Sequence, residues 1–263
     1  MSTADTALRA RRVFGAGLGQ VARWAAAGES RLTPPQADIV QPLPSPGPDT
    51  LASPPSYGPL WNPRTDDDAI SQISGTADWR QFEAAGREDE ARLAPFYDES
   101  SIVLDLGCGI GRVAQFVAPK CRQLWAVDAS QRMLDITSRR LSMMTNISFA
   151  RCLDVAVPDV PDESIDLAYS IQMLEHVERE DAFLLLEELR RVLRPSGTVV
   201  VTFPNLLSDM HLDAFVTCAR ARAIDVHRAR AYTLEEVSRI MEAAGFLTKL
   251  DDQPEICAFG HPV

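Results

Sequence analysis

The sequence predicts an α/β domain: a mostly parallel sheet, covered by helices on both faces and finished by an antiparallel hairpin. Three observations carry this prediction. Apolar runs of strand length alternate with helical patterns from Ile102 to Phe203. A glycine-rich turn joins the first of these runs to the helix that follows it. At the end of the chain, Phe246 to Leu250 and Ile256 to Phe259 are two strand-like runs with only a short connection between them. Strands separated by helices form parallel crossover units, whereas two strands joined by a short loop pair antiparallel.

The chain opens with residues of a different kind. Thr33 to Pro63 holds ten of the 18 prolines, spaced with Ser, Gly and Asp, and predicts an extended linker that cannot bury a core. Ahead of it, Ala7 to Ala27 is rich in Ala and Arg, with no acid between Asp5 and Glu29. Those features resemble a mitochondrial transit peptide, although GC-rich coding of a surface helix or a bacterial extension produces the same composition and is the reading adopted. Residues 1–63 are therefore assigned to a flexible extension and residues 64–263 to the folded domain. Asp66-Asp67-Asp68 reads as a solvated run or the acidic start of a helix. A second helical pattern runs from Asp78 to Leu93. Trp61, Trp79, Phe82 and Phe96-Tyr97 accompany it, either docked on the sheet or covering a site.

The remaining elements follow in order. Ile102, Val103, Leu104 and Leu106 make a first buried strand, Gly107, Gly109 and Gly111 a turn, and Val113 to Ala118 a helix. Leu124 to Val127 is a second strand ending in Asp128, followed by a helix from Ser130 to Leu141. Ile147 to Cys152 is a third strand, ending at Leu153-Asp154-Val155. After a turn at Pro158 to Glu163, Ser164 to Ser170 forms a fourth strand. A helix over Glu187 to Leu193 ends in Arg194-Pro195-Ser196-Gly197, and Thr198 to Phe203 is the fifth strand. Residues 205–230 read as a helical substrate cap, with helical spacing over Leu212 to Ala223. Thr233-Leu234-Glu235-Glu236 then opens the last helix with a capping-box pattern.

The turn carries the chemistry. A dinucleotide fingerprint needs G-x-G-x-x-G; here Arg112 occupies the third position and the glycine falls one residue early, at Gly111. Asp105 lies just before the turn, where a carboxylate suits turn amides or an amino group better than a pyrophosphate. The run D-L-G-C-G-I-G resembles the first motif of the class I S-adenosylmethionine-dependent methyltransferases, in their small-molecule branch. That resemblance, spanning roughly Asp98 to Phe246, implies a Rossmann-like seven-stranded sheet and S-adenosyl-L-methionine as cofactor. It implies that Gly107, Gly109 and Gly111 face the methionine part and that Asp105 helps to hold its amino group. It further implies that Asp128 binds both ribose hydroxyls, that Asp154 accepts the adenine amino group, and that the Val155 amide meets the ring. Asp166 reads instead as a loop-positioning acid, and Cys108 as a small residue in a tight turn.

Ser170 to Val177 follows the fourth strand and so stands at the carboxyl edge of the sheet, beside the transferred methyl group. Methyl transfer from a sulfonium is a direct displacement, which needs alignment of the acceptor and removal of its proton. His176, with Glu175 beside it, is the candidate for acceptor activation; a histidine that only shapes the pocket remains open. M-L-E-H-V also resembles the ubiquinone-pathway hydroxyl methyltransferases, and a related E-x-x-E-H occurs in the plant-type small-RNA 2′-O-methyltransferases, where acids and histidines can hold a divalent metal. Here Gln172 stands where the first acid would be. Glu175, His176 and His227 would make only a weakened site, so the reading adopted has no metal ligands. His211 has no evident partner. Arg220, Arg222, Arg228 and Arg230 make the cap locally basic, which fits an anionic acceptor or a solvated helix equally.

A formal charge of −11 repels polyanions at long range and disfavours nucleic acid as substrate. Five cysteines without a C-x-x-C pair point to reduced thiols and a cytoplasmic setting. No apolar run reaches the roughly twenty residues of a membrane span. The resulting expectation is O-methylation of a hydroxyl on a small metabolite, sugar or lipid. The alternatives are a nucleic-acid or protein methyltransferase, a nucleotide-dependent oxidoreductase, and a cofactor-binding protein without catalysis.

Overall fold

The computed structural model describes residues 57–75, 77–222, 229–251 and 255–263. The Ala- and Arg-rich segment, most of the proline-rich stretch and His227 lie outside the described residues. Seven strands, β1 (Ile102–Leu106), β2 (Gln123–Asp128), β3 (Ile147–Arg151), β4 (Ile165–Ser170), β5 (Leu193–Pro204), β6 (Phe246–Asp251) and β7 (Glu255–Pro262), form one sheet in the order β3-β2-β1-β4-β5-β7-β6. The pairs from β3 to β5 are parallel, and β7 runs antiparallel to both β5 and β6. This is the expected Rossmann-like sheet with its terminal hairpin.

Helices cover both faces: α1 (Asp66–Ser74), α2 (Trp79–Leu93), α3 (Ala114–Val117), α4 (Gln131–Arg140), α5 (Arg179–Val192), α6 (Asp209–Ala221) and α7 (Leu234–Ala243). Every residue of β1 is buried, as a central parallel strand requires. Alternation then divides its side chains. Leu104 and Leu106 join Leu185, Leu186 and Leu189 of α5 in the larger cluster, which also takes in Val237 and Met241 of α7. Val103 turns the other way, toward Leu93 of α2 and Ala114 and Val117 of α3. Ala69, Ile70, Phe82, Ile110, Met133 and Ile136 form a third cluster, to which α1, α2 and α4 all contribute, with Trp61 and Trp79 packed against it. Each such apolar side chain contributes on the order of 1.5–3 kcal/mol by burial.

Two elements differ from the sequence reading. The helix expected over Glu187 to Leu193 begins at Arg179, because Leu185, Leu186, Leu189 and Val192 repeat at helical spacing and all face the core. Arg194 to Gly197 are not its tail but the first part of β5, where the pairing register with β4 shifts between Ile165 and Leu167. The helix expected over Val113 to Ala118 is a single turn, Ala114–Val117, followed by a 3-10 turn at Ala118–Lys120. Pro119 lacks the amide that a longer helix would use.

Local signals explain the other ends. The Thr65 side chain accepts from Asp68 N while Asp68 accepts from Thr65 N, a capping box that starts α1 on its acidic turn. Thr233 and Glu236 do the same for α7. Asp166 accepts from Ile102 N at 2.8 Å and pairs with Arg194, so it ties strand starts together away from the carboxyl edge. Within the stretch assigned to the extension, Tyr57 is buried and belongs to the larger cluster.

Candidate active site

The strand order reverses between β1 and β4, and a cavity opens at their carboxyl ends, where such sheets bind ligands. Asp105, Gly107, Gly109, Asp128, Asp154 and His176 all line it. The structure thus brings together residues that lie as far as 71 positions apart. Gly111 and Val155 are not in the lining, and neither is Glu175.

The turn is held from below by β2. Val127 O accepts from Gly107 N at 2.8 Å and from Cys108 N at 2.9 Å, and the Thr137 hydroxyl donates to Gly109 O at 2.7 Å. All three turn glycines have positive φ: 80° at Gly107, 54° at Gly109 and 80° at Gly111. At Gly107 a Cβ would also lie 2.2 Å from Met173 Cγ, so the close approach of the β4 loop to the turn needs glycine there.

Asp128 closes the end of β2. One carboxylate oxygen accepts from Gly109 N at 2.9 Å and the other from Ser130 N at 2.8 Å. Burial raises its pKa to about 6, against these amides, which lower it. Asp105 was expected to suit turn amides or an amino group; the turn amides go to β2 instead. Burial pushes its pKa to about 7, opposed by the Tyr169 hydroxyl and Arg112. That hydroxyl approaches without completing an ordinary hydrogen bond, and is itself buried without a partner. Two carboxyls thus face one cavity, both held above their ordinary range and both gaining if a polar or cationic ligand arrives. Asp154 adopts φ 56° just past β3, exposed at the rim. Cys108 is buried with its thiol pKa raised by burial, the opposite of an activated nucleophile.

Another wall comes from His176, in the 3-10 turn Leu174–His176, and from residues ahead of α1. The His176 ring meets Trp61 edge to face, with centroids 5.0 Å apart. Tyr57 lines the same wall; its hydroxyl donates to Asp181 and accepts from Glu178 N at 3.0 Å, fastening the segment to the start of α5. Glu175 turns inward. It is 5% exposed, its Oε2 has no partner, and burial lifts its pKa to about 8. Trp79 and Phe82 pack beneath α1 and α4 instead of over the cavity.

Sequence reasoning missed Arg112, weighed only as the residue that breaks a glycine pattern. It is buried, lines the cavity, pairs with Asp89 of α2 and donates to Gln172 Oε1 at 3.0 Å. Gln172, at φ 56°, in turn donates from its side chain to Glu255 at 3.1 Å and from its main-chain amide to Thr202 Oγ1 at 2.9 Å. An arginine between a glycine and an apolar run was the available signal. Tyr57 offered none, standing among prolines. Among the described residues no three His, Cys, Asp or Glu side chains are grouped to hold a metal ion.

Residues 103–197 match the family described as a methyltransferase domain. These residues thus form a methyltransferase domain. The chain is 28% identical over 156 residues to a Mycobacterium tuberculosis protein named "Probable S-adenosylmethionine-dependent methyltransferase Rv3030", covering 59% of this chain and 52% of that one. It is 26% identical over 106 residues to phosphoethanolamine N-methyltransferase of Plasmodium falciparum, covering 40% of each chain. This chain thus spans about half the length or less of these two relatives. A solved SAM-dependent methyltransferase from Aquifex aeolicus superposes with TM-score 0.54 at 16% identity, over 76% of this chain and 98% of that one, a likeness of fold. The glycine turn and the cavity-lining residues from Asp105 to Leu185 lie inside the matched residues, whereas Tyr57, Trp61 and Ile73, which also line the cavity, and α6 lie outside them.

Proposed function

We propose that the chain transfers the methyl group of S-adenosyl-L-methionine to a hydroxyl of a small metabolite, sugar or lipid. The observation that carries this reading is that Asp105, Asp128 and His176 all line one cavity. The residues fit the cofactor: two buried carboxyls with raised pKa values await donors, and the backbone at Gly107 and Gly109 borders the space without a Cβ. In this proposal Asp105 holds the amino group, Asp128 the ribose hydroxyls with the lone pairs its amide partners leave, Asp154 the adenine amino group, and the Val155 amide the ring. The glycines at 107, 109 and 111 shape the turn against the methionine part. When bound, the cofactor supplies an electrophilic methyl group whose leaving group is a neutral thioether.

His176 is assigned the acceptor's proton: a ring nitrogen takes it as the acceptor oxygen bonds to the methyl carbon. Trp61 and Tyr57 keep water from the His176 wall. Glu175 supports the same turn as a carboxyl that is largely protonated at neutral pH, and is assigned no proton transfer of its own. The five cysteines are all free, which supports a reducing, cytoplasm-like setting; no helix among the described residues is long and apolar enough to cross a membrane.

Calorimetric titration with S-adenosylhomocysteine, run beside NADH and with and without magnesium, tests the cofactor assignment. Saturable binding of the homocysteine compound alone is expected. Binding of NADH alone would return the chain to the oxidoreductase reading. With an acceptor in hand, His176→Ala is expected to lower kcat by about 10²-fold or more while leaving cofactor affinity within about twofold; equal losses in both would remove the base role.

A further inference from the structure

A second concavity lies outside the cofactor cavity. It is bounded on one side by α6 and on the other by Pro204, Leu206 and residues 229–231. The α6 residues that line it, His211, Ala214, Phe215, Cys218, Ala219 and, just past the helix end, Arg222, recur at three- and four-residue spacing, so they form one face. A helix face of that pattern normally packs on a core, yet α6 has no buried residue. Four of the ten exposed large hydrophobic side chains of the described residues, Leu207, Met210, Leu212 and Phe215, fall within nine positions here, with Phe215 58% exposed.

The groove is also basic. Arg179, Arg222 and Arg230 all line it, in a chain whose net charge is −11. Arg179 pairs with Glu236 at 2.6 Å and lies 4.5 Å over the Tyr232 ring, and Arg230 pairs with Glu178, so two guanidinium groups are fixed in direction. Arg222 lines the same groove and makes no ion pair with a described residue. Guanidinium groups held in place are suited to a phosphate or carboxylate head. The Arg230 main-chain amide donates to Glu175 O at 2.9 Å, next to His176, so a groove residue is bonded to the turn that carries a lining residue of the cofactor cavity.

We infer that this groove binds the acceptor through an anionic head on Arg179, Arg222 and Arg230 and a single alkyl chain along Ala214, Phe215, Cys218 and Ala219. The inference rests on the methyl-transfer reading for calling the occupant an acceptor; the binding itself does not depend on it. The occupant is a single-chain anionic amphiphile, its head on the arginines and its chain on the apolar face of α6.

The test titrates the full chain with dodecyl phosphate below its micelle concentration, beside inorganic phosphate, dodecyl maltoside and dodecyltrimethylammonium. Dodecyl phosphate is expected to bind with one-to-one stoichiometry, and Arg222→Glu and Phe215→Asp are each expected to weaken it about tenfold or more. Both variants should keep the wild-type melting temperature and wild-type affinity for S-adenosylhomocysteine, because neither side chain is buried or lines the cofactor cavity. Equal binding of the uncharged detergent, or unchanged affinity in both variants, would overturn the site. So would light scattering showing a dimer that Phe215→Asp dissociates, since the face would then cover a second copy of the chain. Binding of S-adenosylhomocysteine without dodecyl phosphate would sink this inference alone; the reverse would sink the methyltransferase reading and leave an anionic amphiphile site.

Discussion

Asp128 shows how one residue serves two purposes. Its carboxylate holds the Gly109 and Ser130 amides, so removing it costs the fold as well as the ligand. Asp128→Ala is expected to lower unfolding free energy by about 1–3 kcal/mol in denaturant titration, since two charge-assisted bonds are lost, and to weaken S-adenosylhomocysteine binding beyond that. Loss of stability with unchanged affinity would leave Asp128 a purely structural acid. Gly107→Ala introduces both a positive-φ alanine and a clash with Met173. Adding Met173→Ala should relieve the overlap with Met173 Cγ but neither that with Met173 Cβ at 2.7 Å nor the backbone strain of about 1 kcal/mol, so thermal melts of the double mutant should regain only part of the loss. At this scale the sequence displayed the acids and glycines, because each stands at a strand end with its neighbours in fixed order. It did not display the Arg112-Gln172-Glu255 chain, whose members meet only through the sheet.

At the scale of elements, punctuation decided what was legible. The capping box at Thr233 and the helical pattern from Asp78 are local, and those helices start where the sequence predicts; the acidic run at Asp66 opens α1, on a capping box at Thr65 that the sequence reading did not name. Thr233→Ala should cost about 1 kcal/mol, read as a shift in the urea midpoint at unchanged slope; no shift would mean that α7 is set by packing alone. The start of α5 was missed because its first turn is charged and its apolar positions are spread over both the core face and Phe183. The boundary between α5 and β5 was misjudged because Pro195 and Gly197 look like a turn, whereas the chain enters the sheet through an irregular register. The cap at 205–230 is only partly described: α6 is a helix as its spacing predicts, with its apolar face unburied.

For the whole molecule, three buried carboxyls give a pH dependence of definite sign. Folding raises the pKa values of Asp128, Asp105 and Glu175 to about 6, 7 and 8, so the folded protein binds more protons than the unfolded chain. Their contribution to stability is present below the ordinary carboxyl range and is lost progressively as pH rises from about 4 to about 8, the Asp128 share by about 6, the Asp105 share by about 7 and the Glu175 share by about 8. The unliganded melting temperature should therefore decline across that interval, and Glu175→Gln should flatten its upper end; a melting temperature that rises there would refute the shifts. A cationic amino group beside Asp105 favours its ionised form. S-adenosylhomocysteine affinity should thus increase with pH through about 6 to 7, with proton release seen as a buffer-dependent binding enthalpy.

The strap formed by Tyr57 and Trp61 bears on where this domain ends. Counted by strands and helices, the domain is complete without the residues before Pro63, and proline content invites a cut there. Yet the Tyr57 phenol is bonded to the head of α5, more than 120 residues away, and Trp61 leans on His176. A protein trimmed at Pro63 would keep its sheet and lose two side chains that line its cavity, so a truncation series scored by expression and melting alone would pass a version whose roof had been left behind.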